Sequence, residues 1–576
     1  MSRQFTAIAH PLVQGFGAAL LLLLAACNAT QPESPHAQSA DQPARTVAPG
    51  VRLQPGGKKA EHSDYASLAA ERVALPAAPL ADYLPPAYRE ENRERYQRLP
   101  GNPVQAVAEA PVSTFSIDVD TGGYANVRRF LNQGQLPPAE AVRLEELVNY
   151  FPYAYPAPRG DVPFGVDSEL APTPWNPQSL LLRIAIKAAD LRVEALPPAN
   201  LVFLVDVSGS MDRREGLPLV QATLKLLVDQ LRAEDRVALV AYAGESRVVL
   251  PSTAGAEKAK IRAAIEQLRA GGSTAGESGI QLAYQQAQEG FLADGINRIL
   301  LATDGDFNVG ISDFDTLKAL AADKRKTGIS LTTLGFGTGN YNEQLMEQLA
   351  DAGDGNYAYI DNLREARKVL VEQLSSTLSV VARDVKLQLE FNPARVSEYR
   401  LLGYENRALR REDFANDKVD AGEIGAGHRV TALYEIVPVG RKGWLEPLRY
   451  RHSGRSDVET AAKPGELAWL RIRYKAPQQR SSRLLERPIH APRQLGDIAA
   501  ASEDLRFAAA VAAFAQQLSG GRYTGDFDLA ATVELARSAR GEDRFGLRGE
   551  FIQLVELAQS LQTPTLTSAP PTAKVD

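Results

Sequence analysis

An apolar run ending in Phe203-Leu204-Val205 is followed at once by Asp206-Val207-Ser208-Gly209-Ser210, so a carboxylate and two hydroxyls fall on alternate positions. Oxygen side chains at that spacing can do two things. They can turn the chain and cap the next helix, because short polar side chains bond nearby backbone N–H groups. They can also converge on a hard cation, which prefers oxygen ligands. Two distant segments bear on the choice. Gly271-Gly272-Ser273-Thr274 precedes a helical stretch, and Leu300-Leu301-Ala302-Thr303-Asp304-Gly305 ends another apolar run with a carboxylate. If the three segments share one edge, Asp206, Ser208, Ser210, Thr274 and Asp304 are the candidate metal ligands. The nearby acids Asp306, Asp313 and Asp315 read instead as caps or solvated residues of the following helix.

Other chemistries fit less well. Gly271 to Ser278 nearly matches the spacing of a phosphate-binding loop, but Glu277 stands where the lysine belongs, which places a negative charge against the phosphates. No nucleotide is expected there. The 6 histidines are His10, His36, His62, His428, His452 and His490, and none falls between residues 200 and 374. A zinc hydrolase or a serine triad built in that region has no imidazole of its own. Asp206 also breaks the G-x-S-x-G pattern around Ser208. The chain is expected not to be an enzyme.

The elements that must position the five oxygens alternate. Strands are expected at Leu201–Val205, Val237–Tyr242, Arg298–Ala302 and Ser330–Gly335. Helices are expected at Leu217–Leu231, Ala256–Leu268, Ser278–Ala293, Phe314–Lys326 and Glu343–Ala350, from apolar residues three and four apart. Alternating β and α elements imply a doubly wound, mostly parallel sheet, which places ligands beyond the carboxyl ends of its strands. Asp206 and Asp304 sit in strand-to-helix connections of that pattern, and Thr274 in a loop that lies before a helix.

The flanks differ in pattern. Residues 90–197 read as an extension domain of strands and two short helices, with Asp118-Val119-Asp120-Thr121 as a strand-to-turn junction rather than a second metal site. Residues 198–376 hold the alternating segment. Residues 377–490 alternate apolar and polar positions, as in an antiparallel β domain, and 491–562 read as a helical cap on it. Residues 563–576 are rich in Pro and Thr and are expected to be disordered.

At 576 residues the chain exceeds one ordinary core, and a formal net charge of -6 gives no basic footprint for nucleic acid. Arg3 and His10 precede the apolar run Ala18 to Leu24, which ends at Ala25-Ala26-Cys27. A basic start, an apolar core too short to span a bilayer and small residues at its end make a secretory signal of residues 1–26. Residues 27–89 are rich in Pro, Ala, Gln and Ser and read as a flexible tether with a typical reach of roughly 40–45 Å. Cys27 is the only cysteine in the chain, so it has no internal disulfide partner.

Two resemblances sharpen these readings. Leu24-Ala25-Ala26-Cys27 resembles the bacterial lipobox, which implies acylation of Cys27, and Asn28 after it implies the outer membrane rather than the inner one. The pattern D-x-S-x-S, a distant Thr and a distant Asp resembles the metal-ion-dependent adhesion site of the von Willebrand factor type A domain. That resemblance implies Mg²⁺, with Mn²⁺ or Ca²⁺ as alternatives, held by the hydroxyls of Ser208, Ser210 and Thr274. Asp206 and Asp304 would act largely through water. The ligand implied is an Asp or Glu of a partner protein.

Segments such as STFSIDVDTGGYANVRRFLNQGQLPP and LATDGDFNVG resemble bacterial lipoproteins of the YfbK type. The function implied is a lipid-anchored envelope protein, periplasm-facing or surface-exposed, that captures a partner carboxylate. The alternative is an envelope scaffold or assembly factor whose metal only stiffens the rim.

Overall fold

A computed structural model describes residues 94–562 apart from 161, 192–194, 273–275, 306–313, 340, 374–375, 377, 420, 447, 449–464, 478, 480 and 492–495. The expected signal, tether, Cys27, Thr274 and tail 563–576 lie outside the described residues. The chain begins with strands β1 (Gln105–Ala106) and β2 (Val112–Ser116), helices α1 (Gly122–Asn132) and α2 (Leu144–Asn149), and strands β3 (Phe164–Thr173) and β4 (Asn176–Ala188). The alternating segment follows as β5 (Ala199–Asp206), α3 (Leu217–Gln230), β6 (Arg236–Tyr242), β7 (Ser246–Ala254), α4 (Lys258–Glu266) and α5 (Gly276–Glu289). It continues as β8 (Ile296–Thr303), α6 (Phe314–Arg325), β9 (Ser330–Gly335), α7 (Glu343–Ala352), β10 (Tyr357–Tyr359) and α8 (Leu363–Arg367). Then come β11 (Val380–Phe391), β12 (Val396–Leu402), β13 (Ile424–Gly425), β14 (Arg429–Pro438), β15 (Glu466–Lys475) and β16 (Ser482–His490). Helices α9 (Glu503–Leu518), α10 (Leu529–Ser538) and α11 (Leu547–Gln562) end it.

The alternating segment folds into a sheet of order β10-β9-β8-β5-β6-β7, parallel except for β7, which runs antiparallel to β6 at the edge. Every residue of β5 is buried, because both faces of the sheet are covered. Leu201, Phe203 and Val205 pack with Leu224, Ile261 and Leu370 on one side, while Val202 and Leu204 meet Ile280, Leu317 and Met346 on the other. The four expected strands and five expected helices are all present, with ends moved by a few residues. The edge strands β7 and β10 were not expected: Pro251 interrupts the first, which an edge tolerates, and the second is only three residues long.

The flanking segments depart from the expected order. Residues 90–197 and 377–490 are not two successive β-containing domains, because their strands interleave. One antiparallel sheet runs β1-β12-β14-β4-β3, with Ile184 opposite Ala432, and the other runs β13-β11-β15-β16 with β2 added to β11. Phe115, Ile184, Leu387 and Tyr434 share the core between them. The opposite face of β4 offers Leu181 and Ala185 to Phe507, Val511, Phe551 and Val555, so the helical cap expected from residues 491–562 sits there together with α1 and α2. Ser502 caps α9, its hydroxyl accepting from the Leu505 N–H at 3.1 Å.

Candidate metal centre

β5 lies between β6 and β8 and delivers Asp206 as its last residue to the carboxyl-terminal edge of the sheet. The carboxylate is fully buried and held on both oxygens. Oδ1 accepts from the Ser208 N–H at 2.9 Å, while Oδ2 accepts from the Thr303 hydroxyl at 2.8 Å and the Tyr242 hydroxyl at 3.3 Å. Thr303 is the last residue of β8, and its Oγ1 accepts in turn from the Gly305 N–H at 3.1 Å. This relay fixes the backbone on both sides of Asp304.

The Asp-x-Ser-x-Ser turn is pinned from its other side. The Gly209 N–H donates to the Gly272 carbonyl at 3.0 Å, and the Gly271 N–H donates to the Val207 carbonyl at 2.8 Å. Gly272 adopts φ of 90°, which a side chain would resist, so glycine is required for this approach. Ser208 Oγ and Ser210 Oγ lie 3.0 Å apart. They face the same side of the turn, as hydroxyls sharing a ligand would. Beyond the turn, Arg213 donates to the Thr338 carbonyl at 2.6 Å and the Gly337 N–H to the Glu215 carbonyl at 3.0 Å, which ties the loop after β5 to the loop after β9.

Asp304 is also buried. Burial first, and the Asp304 charge second, push the Asp206 carboxyl up to about 6. Two carboxylates and two hydroxyls therefore share one rim, an all-oxygen donor set of the kind a hard divalent cation prefers. No three His, Cys, Asp or Glu side chains gather into a metal cluster among the described residues. A cation at this rim would depend on hydroxyls and water for the rest of its shell.

Asp206, Ser208, Ser210 and Asp304 thus stand at one sheet edge, and the loop leading to Thr274 is bonded to the same turn. Asp315 falls in the first turn of α6, as expected of a helix-terminal acid. Sequence reasoning missed Thr303 and Tyr242, the two hydroxyls that hold Asp206. Their signal was positional: Thr303 immediately precedes Asp304, and Tyr242 ends the neighbouring strand in register with Asp206.

Three family profiles match the chain: "von Willebrand factor" at residues 90–183, "von Willebrand factor type A domain" at 200–373, and "Uncharacterized protein YfbK, C-terminal" at 376–561. The uncharacterized protein YfbK of Escherichia coli (strain K12) is 52% identical over 475 residues, spanning 81% of this chain and 81% of its own. An uncharacterized protein of Synechocystis sp. is 32% identical over 226 residues, 39% of this chain and 51% of its own. A solved von Willebrand factor type A structure from Catenulispora acidiphila aligns over 69% of this chain and 91% of its own, at 18% identity and a TM-score of 0.38. With half of its residues shared along four fifths of both lengths, and the type A profile lying over the alternating sheet, the chain belongs to the YfbK family of von Willebrand factor type A domain proteins.

Proposed function

We propose that the chain is a lipid-anchored envelope protein that captures a carboxylate of a partner protein at the Asp206 rim. The observation that supports this most is the pairing of a buried, fully bonded Asp206 with Asp304 beside a Ser208–Ser210 hydroxyl pair. Mg²⁺, or Mn²⁺ or Ca²⁺ in its place, would supply an open coordination position for the incoming Asp or Glu. Ser208, Ser210 and Thr274 would bind it through hydroxyls. Asp206 and Asp304 would orient water around it, Asp206 being held for that task by Thr303 and Tyr242. The mostly neutral ligand set leaves the cation under-neutralised, which favours a partner carboxylate.

Melting of the full-length chain in EDTA and in excess Mg²⁺ tests the site. Occupancy at about 100 times the dissociation constant stabilises by roughly 2.7 kcal/mol, so the melting temperature should rise by a few degrees. No shift up to several millimolar Mg²⁺ removes the metal reading. Affinity capture from envelope extracts with and without EDTA then tests the partner: a metal-sensitive capture supports adhesion. Capture that ignores EDTA favours an envelope scaffold, a reading that the interleaving of the two flanking segments into one sandwich also favours.

Anchoring is tested separately. Cys27→Ser should move the protein from the membrane fraction, outer membrane by the sorting expectation, to the soluble one. The mature cysteine would carry several acyl chains, each contributing about 0.8 kcal/mol per buried CH₂, and the variant carries none. A correctly cleaved variant that stays in the membrane fraction would place the anchor elsewhere.

A further inference from the structure

Two surface segments meet at the outer side of the ion pairs around the buried Arg128. One runs from Asp361 to Glu372, through α8 and the helical turn after it, and the other from Arg540 to Glu550, into the start of α11. They border one open cleft of about 480 Å³, lined among others by Arg364, Arg367, Arg540 and Phe545. None of Asp206, Ser208, Ser210 or Asp304 lines it.

Each segment carries three basic and three acidic residues, so neither announces a charged face by its sequence. The fold sorts the signs. Asp361, Glu365 and Glu550 turn inward to Arg128, at 2.5, 2.7 and 3.1 Å, with side chains 6%, 1% and 19% exposed. Asp543 is spent on the start of α11, where it accepts from the Arg548 N–H at 3.2 Å and the Gly549 N–H at 2.8 Å. The arginines turn outward. Arg364 and Arg540 are 81% and 59% exposed, and each reaches a single carboxylate, at 3.8 Å. Arg367 and Arg544 are exposed, and their guanidinium groups make no hydrogen bond or ion pair among the described residues. Lys368 and Arg548 are buried, which leaves four exposed arginines against two exposed acids, Glu372 and Glu542. The same two segments leave Leu363 and Phe545 about half exposed.

We propose that this face docks on the surface of a bilayer that contains anionic phospholipid. Guanidinium groups without acid partners present their edges to phosphate oxygens, and a leucine and a phenylalanine among them suit the boundary between headgroups and acyl chains. An acidic protein would meet the same arginines but would have no need of the two apolar side chains. The choice of a bilayer rests on the anchoring proposed above, which brings one within reach. Contact of this kind is weak and screened by salt, so it orients an anchored protein rather than holding it. The Cys27→Ser fractionation is therefore read after a high-salt wash.

The experiment sediments the unacylated Cys27→Ser chain with vesicles in EDTA, which keeps a cation at the Asp206 rim from bridging to lipid phosphate. At low ionic strength, vesicles of phosphatidylcholine with about one third phosphatidylglycerol should bind it at least about tenfold more tightly than phosphatidylcholine alone, and high salt should erase the difference. Arg367→Gln and Arg544→Gln should each weaken that binding about fivefold, and Phe545→Ser at least about twofold, while melting stays within a few degrees. No preference for the anionic vesicles, including no binding at all, would overturn the proposal, and so would arginine variants that bind like the parent. Retention on immobilised poly-glutamate through the same arginines, by a parent that ignores vesicles, would assign the face to an acidic protein instead. None of these outcomes depends on acylation of Cys27 or on metal at the rim, so the anchoring and adhesion readings stand or fall by their own tests.

Discussion

Thr303 shows how much of the rim rests on a residue that is not itself a candidate ligand. Its hydroxyl donates to Asp206 and accepts from Gly305, so Thr303→Val removes two bonds and leaves a buried carboxylate oxygen short of a donor. Such a loss costs about 1–3 kcal/mol, and urea unfolding in EDTA should show a destabilisation of that size. Asp304→Ala should behave in the opposite sense without metal, because it removes the charge that helps to raise the Asp206 carboxyl. Its metal-free form is expected to melt above that of Thr274→Ala, while both lose the Mg²⁺-dependent rise. Equal metal-free melting of the two would mean that repulsion across the rim is negligible. The acid and hydroxyls of the site were legible because their spacing is local: alternate positions after an apolar run. Tyr242 was not, since only the parallel register of β5 and β6 brings it to Asp206.

Helix α1 illustrates what an amphipathic pattern leaves out. The periodicity of GGYANVRRFLN identifies a helix, and an arginine pair in its middle reads as a solvated face. Instead Arg128 is 1% exposed, donating from Nε and Nη2 to Asp361, from Nη2 to Glu365 at 2.7 Å, and from Nη1 to Tyr150 at 2.9 Å and Glu550 at 3.1 Å. One side chain thus joins the extension, the start of α8 and the helix α11. Lys368 adds a second cation 3.2 Å from the centroid of the Tyr150 ring, and burial pulls its ammonium down to about 8. Removing one partner of a buried pair leaves the other charge without compensation, which costs about 3–5 kcal/mol. Arg128→Ala should lose stability on that order in denaturant melts of the full-length chain. A loss under about 1 kcal/mol would mean that the three acids find water once the arginine is gone.

Part of the joint between the alternating sheet and its flanks is rich in buried acids, and no stretch of sequence announced it. Glu343 and Glu347 of α7 are four apart, the usual pattern of a solvated helix face, yet both are buried against α2 and the turn after β12. Glu145 and Glu146 of α2 face them, and Asp118, Asp120 and Asp351 complete the group. Two arginines answer these seven acids. Arg407 stands 3.3 Å from Asp118, 3.2 Å from Asp120, 3.0 Å from Glu347 and 2.7 Å from Asp351, and Arg143 stands 3.6 Å from Glu343. These pairs join residues up to some 290 positions apart in the chain, a distance at which patterning identifies elements but not their partners. Desolvation, with neighbouring carboxylates adding to it, holds Asp118 up to about 7, Glu145 up to about 7 and Glu146 up to about 8, and raises Asp120, Glu343 and Glu347 as well. The folded protein therefore keeps protons that the unfolded chain has released above about pH 4–5, and its stability falls as pH rises from there to about 8. The expected outcome is a steady loss of stability between pH 5.5 and 8.5, of several kcal/mol, read from urea melts at fixed ionic strength in EDTA. Glu146→Gln separates this cause from others. Its amide oxygen can still accept the Gly123 N–H that Glu146 Oε2 now accepts at 2.7 Å, but it carries no charge at any pH. The variant should be more stable than wild type at pH 8.5, little changed at pH 5.5, and flatter between them. Stability that holds or rises in the wild type over that range would show that Arg143 and Arg407 keep the seven acids ionised, and that the joint is held by charge rather than by protons.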